Sequence, residues 1–150
     1  MASEIVVRMI EAKDEDVWRR LWAGYLTFYR KSLTEEMTSL TFARLLDPGL
    51  PVFGAVAIGP ADTPVGLVHY LHHLSTWSPT FYCYLEDLFV APEARGGGYG
   101  RALIQHVYDA AHAAGATNVY WLTEGDNATA QRLYDRIGQR SGFIHYWRPR

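Results

Sequence analysis

The sequence predicts an α/β domain, a mixed and mostly antiparallel sheet flanked by helices, with the element order βααβββαβαβ. Three observations predict it. Two segments near the start carry apolar residues at helical spacing. The middle of the chain switches to short apolar runs separated by dense turn signals, the pattern of an antiparallel meander. After Pro92, helical and extended patterns alternate.

Ile5 to Ile10 is a short strand, weakly alternating around Arg8. Asp14 can cap the helix that follows, with Glu15 and Asp16 suiting the positive end of its dipole. Val17, Leu21, Tyr25 and Phe28 mark its apolar face, and Lys31 and Ser32 end it. Thr34 caps a second helix, with Glu35 and Glu36 in its first turn, and Pro48-Gly49 stops it. Val52 to Ile58, Val65 to Leu74 and Thr80 to Val90 are three strands, separated by the Gly59–Pro64 turn and by Ser75 to Pro79. Gly98 to Ala114 is helical, with Leu103, Val107, Ala110 and Ala114 on one face and Gly115 as its stop. Val119 to Leu122 is a strand. Asp126 or Asn127 caps a helix carrying Ala130, Leu133, Tyr134 and Ile137, which Gly138 ends. Phe143 to Trp147 is the last strand.

The chain is 150 residues long and 49% hydrophobic, enough for one domain, residues 1–150, with a real core. A formal charge of −2 gives no general attraction to nucleic acid or to an anionic membrane, so neither is expected as a partner. The single cysteine, Cys83, has no internal partner for a disulfide, which suits a reducing cytosol. Met1 to Glu11 lacks the basic region and long apolar stretch of a signal peptide, and no apolar run reaches the roughly 20 residues that span a bilayer. A cytoplasmic protein is expected.

The stretch richest in chemistry runs from Val90 through Ala91, Pro92, Glu93, Ala94, Arg95, Gly96, Gly97, Gly98, Tyr99 and Gly100 to Arg101, between a strand and a long helix. A glycine turn here leaves backbone N–H groups unobstructed, and with the helix's positive end these form an anion site. Arg95 and Arg101 add forked donors suited to phosphate. A nucleoside-triphosphate P-loop needs Lys and then Ser or Thr after its last glycine, but Arg101 and Ala102 stand there. A dinucleotide fingerprint G-x-G-x-x-G needs glycine at 101 or 103, where Arg101 and Leu103 stand. A third pattern, Arg/Gln-x-x-Gly-x-Gly/Ala, is met by Arg95, Gly98 and Gly100.

That third pattern resembles the coenzyme A pyrophosphate loop of the GNAT acetyltransferase superfamily. Asn127-Ala-Thr-Ala-Gln-Arg-Leu-Tyr134-Asp-Arg-Ile-Gly138 resembles the same family's second cofactor-side helix. The resemblance covers nearly the whole chain. More narrowly, Tyr84-Leu85-Glu86-Asp87-Leu88-Phe89-Val90, preceded by Ser75-Thr76-Trp77, and Tyr120-Trp121-Leu122-Thr123 look like the spermidine/spermine N-acetyltransferase branch and its microbial histone and polyamine acetyltransferase relatives.

The resemblance implies a single-domain GNAT-like fold and direct transfer of acetyl from acetyl-CoA, the acetyl-donor cosubstrate, to a primary amine. It implies that Leu88, Phe89 and Val90 run beside the pantetheine arm, that Gly96, Gly97, Gly98, Tyr99 and Gly100 with Arg95 and Arg101 hold the pyrophosphate, and that Asn127 hydrogen-bonds the arm while capping its helix. An alkylammonium has a pKa of about 10.4 and must lose a proton before it attacks. The resemblance places Glu86 on the strand beside the cofactor and so implies it as the candidate base, through water, with Asp87 as the neighbouring alternative. A β-bulge here would disturb the alternation that separates the two. Tyr134 is the candidate acid, since a phenol with pKa of about 10 can protonate a departing thiolate.

The resemblance implies that the first two helices and their joining loop wall the acceptor groove, which makes Tyr29, Glu35, Glu36, Trp77, Tyr82, Glu86 and Asp87 candidate contacts for a cationic amine; aromatic faces and carboxylates both attract ammonium groups. The stripe Trp18, Trp22, Tyr25, Tyr29 on the first helix reads as core before it reads as pocket. The histidines show no metal-ligand spacing, and no metal is expected. The expected acceptor is a small polyamine-like or lysine-like amine. A protein lysine, as in a histone tail, and a non-catalytic acyl-CoA-binding module are the alternatives. The resemblance further implies a homodimer, to which Phe143 to Trp147 would contribute.

Overall fold

The computed structural model describes residues 4–150; the first three residues of the Met1–Glu11 stretch discussed above lie outside it. Nine elements follow in the order β1 (Val6–Met9), α1 (Glu15–Phe28), α2 (Glu35–Leu46), β2 (Val52–Ile58), β3 (Pro64–His73), β4 (Tyr82–Val90), α3 (Tyr99–Ala114), β5 (Asn118–Tyr120) and α4 (Ala128–Ile137), with single 3-10 turns at Ala12–Asp14, Pro60–Asp62 and Pro92–Ala94. The strands form one sheet in the order β1-β2-β3-β4-β5. Every pairing is antiparallel except β4 with β5, which is parallel. The mixed, mostly antiparallel architecture is as expected.

The sheet separates two apolar layers. On one face α1 and α2 bury Trp18, Leu21, Trp22, Phe42 and Leu45 against Val56, Leu67 and Phe89. Gly24 lets α1 sit close to β4, since a Cβ there would stand 2.9 Å from the Phe89 ring. On the other face α3 buries Leu103, Ile104, Val107 and Ala111 against Val68, Tyr70, Cys83 and Leu85, and Leu133, Tyr134 and Ile137 of α4 pack at the margin.

Three local expectations need correction. Asp14 does not cap α1. Its carboxylate accepts two hydrogen bonds from Arg8, at 2.8 and 2.9 Å, and one from the Glu11 N–H, so it has turned back toward the chain before it. The strand expected at Val119–Leu122 ends at Tyr120, and Trp121 and Leu122 leave the sheet. The strand expected at Phe143–Trp147 does not form: a strand exists by the neighbour that takes its backbone hydrogen bonds, and among the described residues none pairs with this segment. Its Phe143, Ile144, Tyr146 and Trp147 are 73–86% exposed.

Candidate active site

β4 makes the site because it is irregular. It pairs with β3 through His69↔Asp87 and then Tyr70↔Leu85, so Glu86 has no opposite residue and forms a β-bulge. The alternation reverses there. Before the bulge, Cys83 and Leu85 point into the α3 layer; after it, Phe89 points into the α1 layer. Asp87 is thereby brought to the α1 face, against His69, while Glu86 stays on the bulge at the rim of the pocket.

β4 also loses a neighbour at this point. Its parallel pairing with β5 covers only Tyr82↔Asn118, Cys83↔Val119 and Tyr84↔Tyr120. Beyond Tyr84 the chain following β5 diverges, and the β5-facing edge of β4 is open. A pocket of about 300 Å³ fills the gap, lined by Tyr25 of α1 and Tyr29 just after it, Tyr84, Leu85, Glu86 and Leu88 of β4, Trp121–Glu124, and Tyr134 of α4. Its charged lining residues are Glu86 and Glu124, and no lysine or arginine lines it.

The titratable groups here are shifted by burial first. The Tyr134 phenol is pushed up to about 12, by burial and then by Tyr29, so it carries its proton at neutral pH. Trp121 meets the Tyr134 ring edge-on at 5.5 Å. Burial, then the Asp87 carboxylate, raises Glu86 above the usual carboxylate range, which makes it a stronger base; His69 opposes this weakly. Burial, then Glu124 and Asp87, raises Tyr29. Cys83 is fully buried and pushed up to about 11, so it is no nucleophile.

At the end of β4 the loop from Pro92 leads into α3. Gly96 and Gly98 hold φ of +84° and +89°, a region that penalises any residue with a Cβ, and Gly98 is the N-cap of the 16-residue α3. Nothing lies within 4 Å of a Cβ built at Gly96, so the turn faces open space. Gly97 and Arg101 are exposed in the same turn, while Tyr99 packs on the α3 layer. This cradle suits a pyrophosphate, and the unpaired edge of β4, with Leu88 at the pocket and Val90 at its end, suits an extended arm added as a β-partner. Arg95 is turned toward α1: its Nε donates to the Val90 carbonyl at 3.1 Å, and its guanidinium sits 5.6 Å from the Phe89 ring and 5.9 Å from Phe28. Asn127 caps α4, its Oδ1 accepting from the Ala130 N–H at 3.3 Å, which leaves its side-chain NH₂ for a ligand.

The structure thus brings Glu86, Tyr29, Leu88 and Tyr134 to one pocket, with Asp87 directly behind. It does not bring Glu35, Trp77 or Tyr82 there. Glu35 is held by Arg19 at 2.6 Å on the outside of the helix pair. Trp77 is 82% exposed in the β3–β4 connection. Tyr82 packs against His73 and Tyr120 on the far stretch of the sheet. Sequence reasoning missed Tyr25, Tyr84 and Trp121–Glu124 as lining. The signal for Tyr25 was present but pointed to core, and the lining role of 121–124 depends on the divergence after Tyr120. Among the described residues no three His, Cys, Asp or Glu side chains cluster as a metal site, and no helix is long and apolar enough to cross a membrane.

The chain is similar to known proteins in sequence and in fold. The model of the acetyltransferase (GNAT) family matches residues 18–139. The chain is 39% identical over 145 residues, 96% of its length and 90% of the relative's, to the D-amino-acid N-acetyltransferase HPA3 of Saccharomyces cerevisiae. It is 34% identical over 80 residues, 53% of this chain and 45% of the other, to a thialysine N-epsilon-acetyltransferase of Bos taurus. Among solved structures, AAC(6')-Iy in complex with the bisubstrate analog CoA-S-monomethyl-acetylneamine superposes with a TM-score of 0.84 over 99% of both chains at 16% identity. A probable acetyltransferase does so at 0.83 and 25% identity over 98% of this chain and 97% of the other. Glycine cradle, open β4 edge and family match agree: the chain belongs to the GNAT acetyltransferase family and is an acetyl-CoA-dependent N-acetyltransferase.

Proposed function

We propose that the protein acetylates a small cationic amine, polyamine-like or lysine-like, with Glu86 as the base and Tyr134 as the acid. The observation that carries this is the lining of the pocket, which offers carboxylates, phenols and an indole and no cation. Such a surface attracts an ammonium group and offers a carboxylate no cationic partner.

In the proposed reaction the acceptor ammonium loses a proton through water to Glu86, whose raised pKa suits that task. The freed nitrogen attacks the thioester carbonyl of acetyl-CoA. Backbone N–H groups near Leu88 and Val90 stabilise the oxyanion, and the pyrophosphate rests in the Gly96–Gly100 turn with Arg101 at its side, while Arg95, expected there, is engaged with Val90, Phe89 and Phe28. Asn127 holds the pantetheine arm. When the C–S bond breaks, the thiolate takes the proton of Tyr134, and the N-acetyl amine leaves with coenzyme A.

The kinship with an enzyme named for D-amino acids favours a second reading, in which the amine belongs to an amino acid. Its carboxylate would then have to lie outside the acidic pocket. Thiol release from acetyl-CoA across spermidine, spermine, thialysine, lysine, several D-amino acids, a histone-tail peptide and an aminoglycoside separates the two. Stimulation by the polycations supports the first reading, stimulation by D-amino acids alone supports the second, and release with none of them counts against both.

We also propose a homodimer. The segment at Phe143–Trp147, whose Phe143, Ile144, Tyr146 and Trp147 are exposed and which pairs with no strand among the described residues, supports it. A monomeric mass in light scattering would end this proposal.

A further inference from the structure

The pocket closes where β5 rejoins β4. Tyr84 is the last residue of β4 to pair with both neighbours, and it also lines the pocket. Along the pocket wall the strand presents, in order, Leu88, Glu86 and Tyr84. The glycine turn lies beyond Val90, at the Leu88 end. A pantetheine arm that enters from that turn and reaches Glu86 leaves the Tyr84 end to the acceptor.

The Tyr84 ring is held from one side. It stacks on Tyr120, its opposite residue on β5, with centroids 4.9 Å apart and planes at 14°. Tyr120 is fixed in turn by His73 of β3. The Leu74 carbonyl, 2.7 Å from His73 Nδ1, only accepts, so the ring proton sits on that nitrogen. Nε2 of the neutral ring is then an acceptor, and the Tyr120 hydroxyl donates to it at 2.7 Å. Tyr82, on the same face of β4 as Tyr84, meets Tyr120 edge-on at 6.2 Å. These four residues are half-buried and belong to neither apolar layer. Among the described residues the only cationic group over an aromatic ring is that of Arg95, on Phe28 and Phe89, so no cation of the chain itself occupies the Tyr84 ring.

We infer that Tyr84 is a specificity-determining residue whose ring receives a second, unreacting ammonium group of the acceptor, and that Tyr120 and His73 are positioning residues that hold that ring. The reacting nitrogen must be neutral when it attacks, so a ring face gives it little at that moment. An ammonium elsewhere on the acceptor keeps its charge throughout and is attracted to the ring. With the reacting nitrogen at Glu86, the rest of a diamine extends toward Tyr84, the end that the cosubstrate leaves open. Burial, then Glu86, pushes the Tyr84 phenol up to about 12, so the ring stays neutral and takes no part in the proton transfers. The inference rests on the function proposed above, and it narrows the acceptor to amines with more than one cationic nitrogen.

The test compares putrescine with butylamine, which share a carbon chain and differ by one ammonium group. The quantity read is the preference, the ratio of kcat/KM for putrescine to that for butylamine. Tyr84→Leu should lower the preference about fivefold. Tyr84→Phe, which returns the ring without its hydroxyl, should restore it. Tyr120→Phe keeps the stack and frees it from His73. It should lower the preference about twofold in the wild-type background and have no further effect on a protein already carrying Tyr84→Leu. Equal losses with both amines in Tyr84→Leu, a preference that Tyr84→Phe does not restore, or effects of the two sites that multiply would overturn the inference. If Tyr84→Leu does not fold, fluorinated phenylalanines incorporated at position 84 decide, because fluorine drains the negative ring face and keeps the shape. A preference that falls with each added fluorine supports the inference, and a constant one overturns it. The two failures are distinguishable. A wild-type protein that acetylates no polycation loses the proposed function and this inference together, whereas wild-type turnover of putrescine with an unchanged preference in Tyr84→Leu leaves the function standing alone.

Discussion

The two halves of β4 differ in what they pair with, and so in what they do. From Tyr82 to Tyr84 the strand has β3 on one side and β5 on the other. From Glu86 to Val90 it has β3 alone. The first half carries Cys83 and Leu85 in a dry layer against α3. The second half carries a bulge, two carboxylates and an open edge beside a pocket. One residue of insertion and the departure of one neighbour turn a piece of core into a reaction floor. Substitutions in the first half should therefore move stability, and those facing the second half should move turnover.

The largest effect is expected at Tyr134, which faces the open half across the pocket. Tyr134→Phe should lower kcat about 100-fold while the acetyl-CoA KM stays within twofold, because the ring still packs on Trp121 and only the proton is lost. Near-full turnover in this variant would break the assignment and with it the contrast between the halves.

Glu86 comes next. A base works only when deprotonated, and burial with Asp87 nearby raises the pKa of Glu86. Wild-type kcat/KM should thus fall on acidification at a higher pH than an ordinary carboxylate would dictate. Glu86→Gln should lower the rate about tenfold near neutral pH and less at alkaline pH, where more of the amine has already shed its proton. The groups facing Glu86 that also shift it, Asp87 and His69, remain in this variant. A pH–rate profile identical to wild type would remove Glu86 as the base.

How much of this could be read before the structure depends on which residues speak locally. The glycine turn announced itself, because left-handed backbone at Gly96 and Gly98 needs glycine, and the failed P-loop and dinucleotide patterns left one kind of phosphate binder. Elements with strong periodicity, such as α3, fell within a residue of expectation. What could not be read was whatever depends on a distant partner. Tyr25 and Trp18 share one helical stripe, and periodicity makes both core. Only the opening beside β4, where β5 has parted from it, gives Tyr25 a place on the pocket wall. Trp121 and Leu122 look like strand until β5 parts from β4. Glu35 looked like an acceptor contact, but Arg19 lies within reach and takes it. Phe143–Trp147 has the composition of a strand, and among the described residues none pairs with it.

In the paired half, Cys83→Ser puts a hydroxyl where a fully buried thiol packed as an apolar group. It should destabilise the fold by about 2 kcal/mol in chemical denaturation and leave kcat/KM within twofold. A loss of turnover without a loss of stability would blur the division between the halves.

The smallest effect sharpens the far end of the open half. Gly98 stands at φ +89°, and the atom nearest to a Cβ there is the Ile5 Cδ1 at 3.5 Å, an ordinary contact. Gly98→Ala therefore adds backbone strain without a clash, about 1 kcal/mol. The chain can relieve that strain by rotating the turn, and the rotation swings the N–H groups that open α3 away from a bound pyrophosphate. The acetyl-CoA KM should rise about fivefold, the factor that 1 kcal/mol corresponds to, while the amine KM and the behaviour of Cys83→Ser stay as they were. A variant that loses stability but binds acetyl-CoA normally would mean that this glycine serves the start of the helix and not the phosphates.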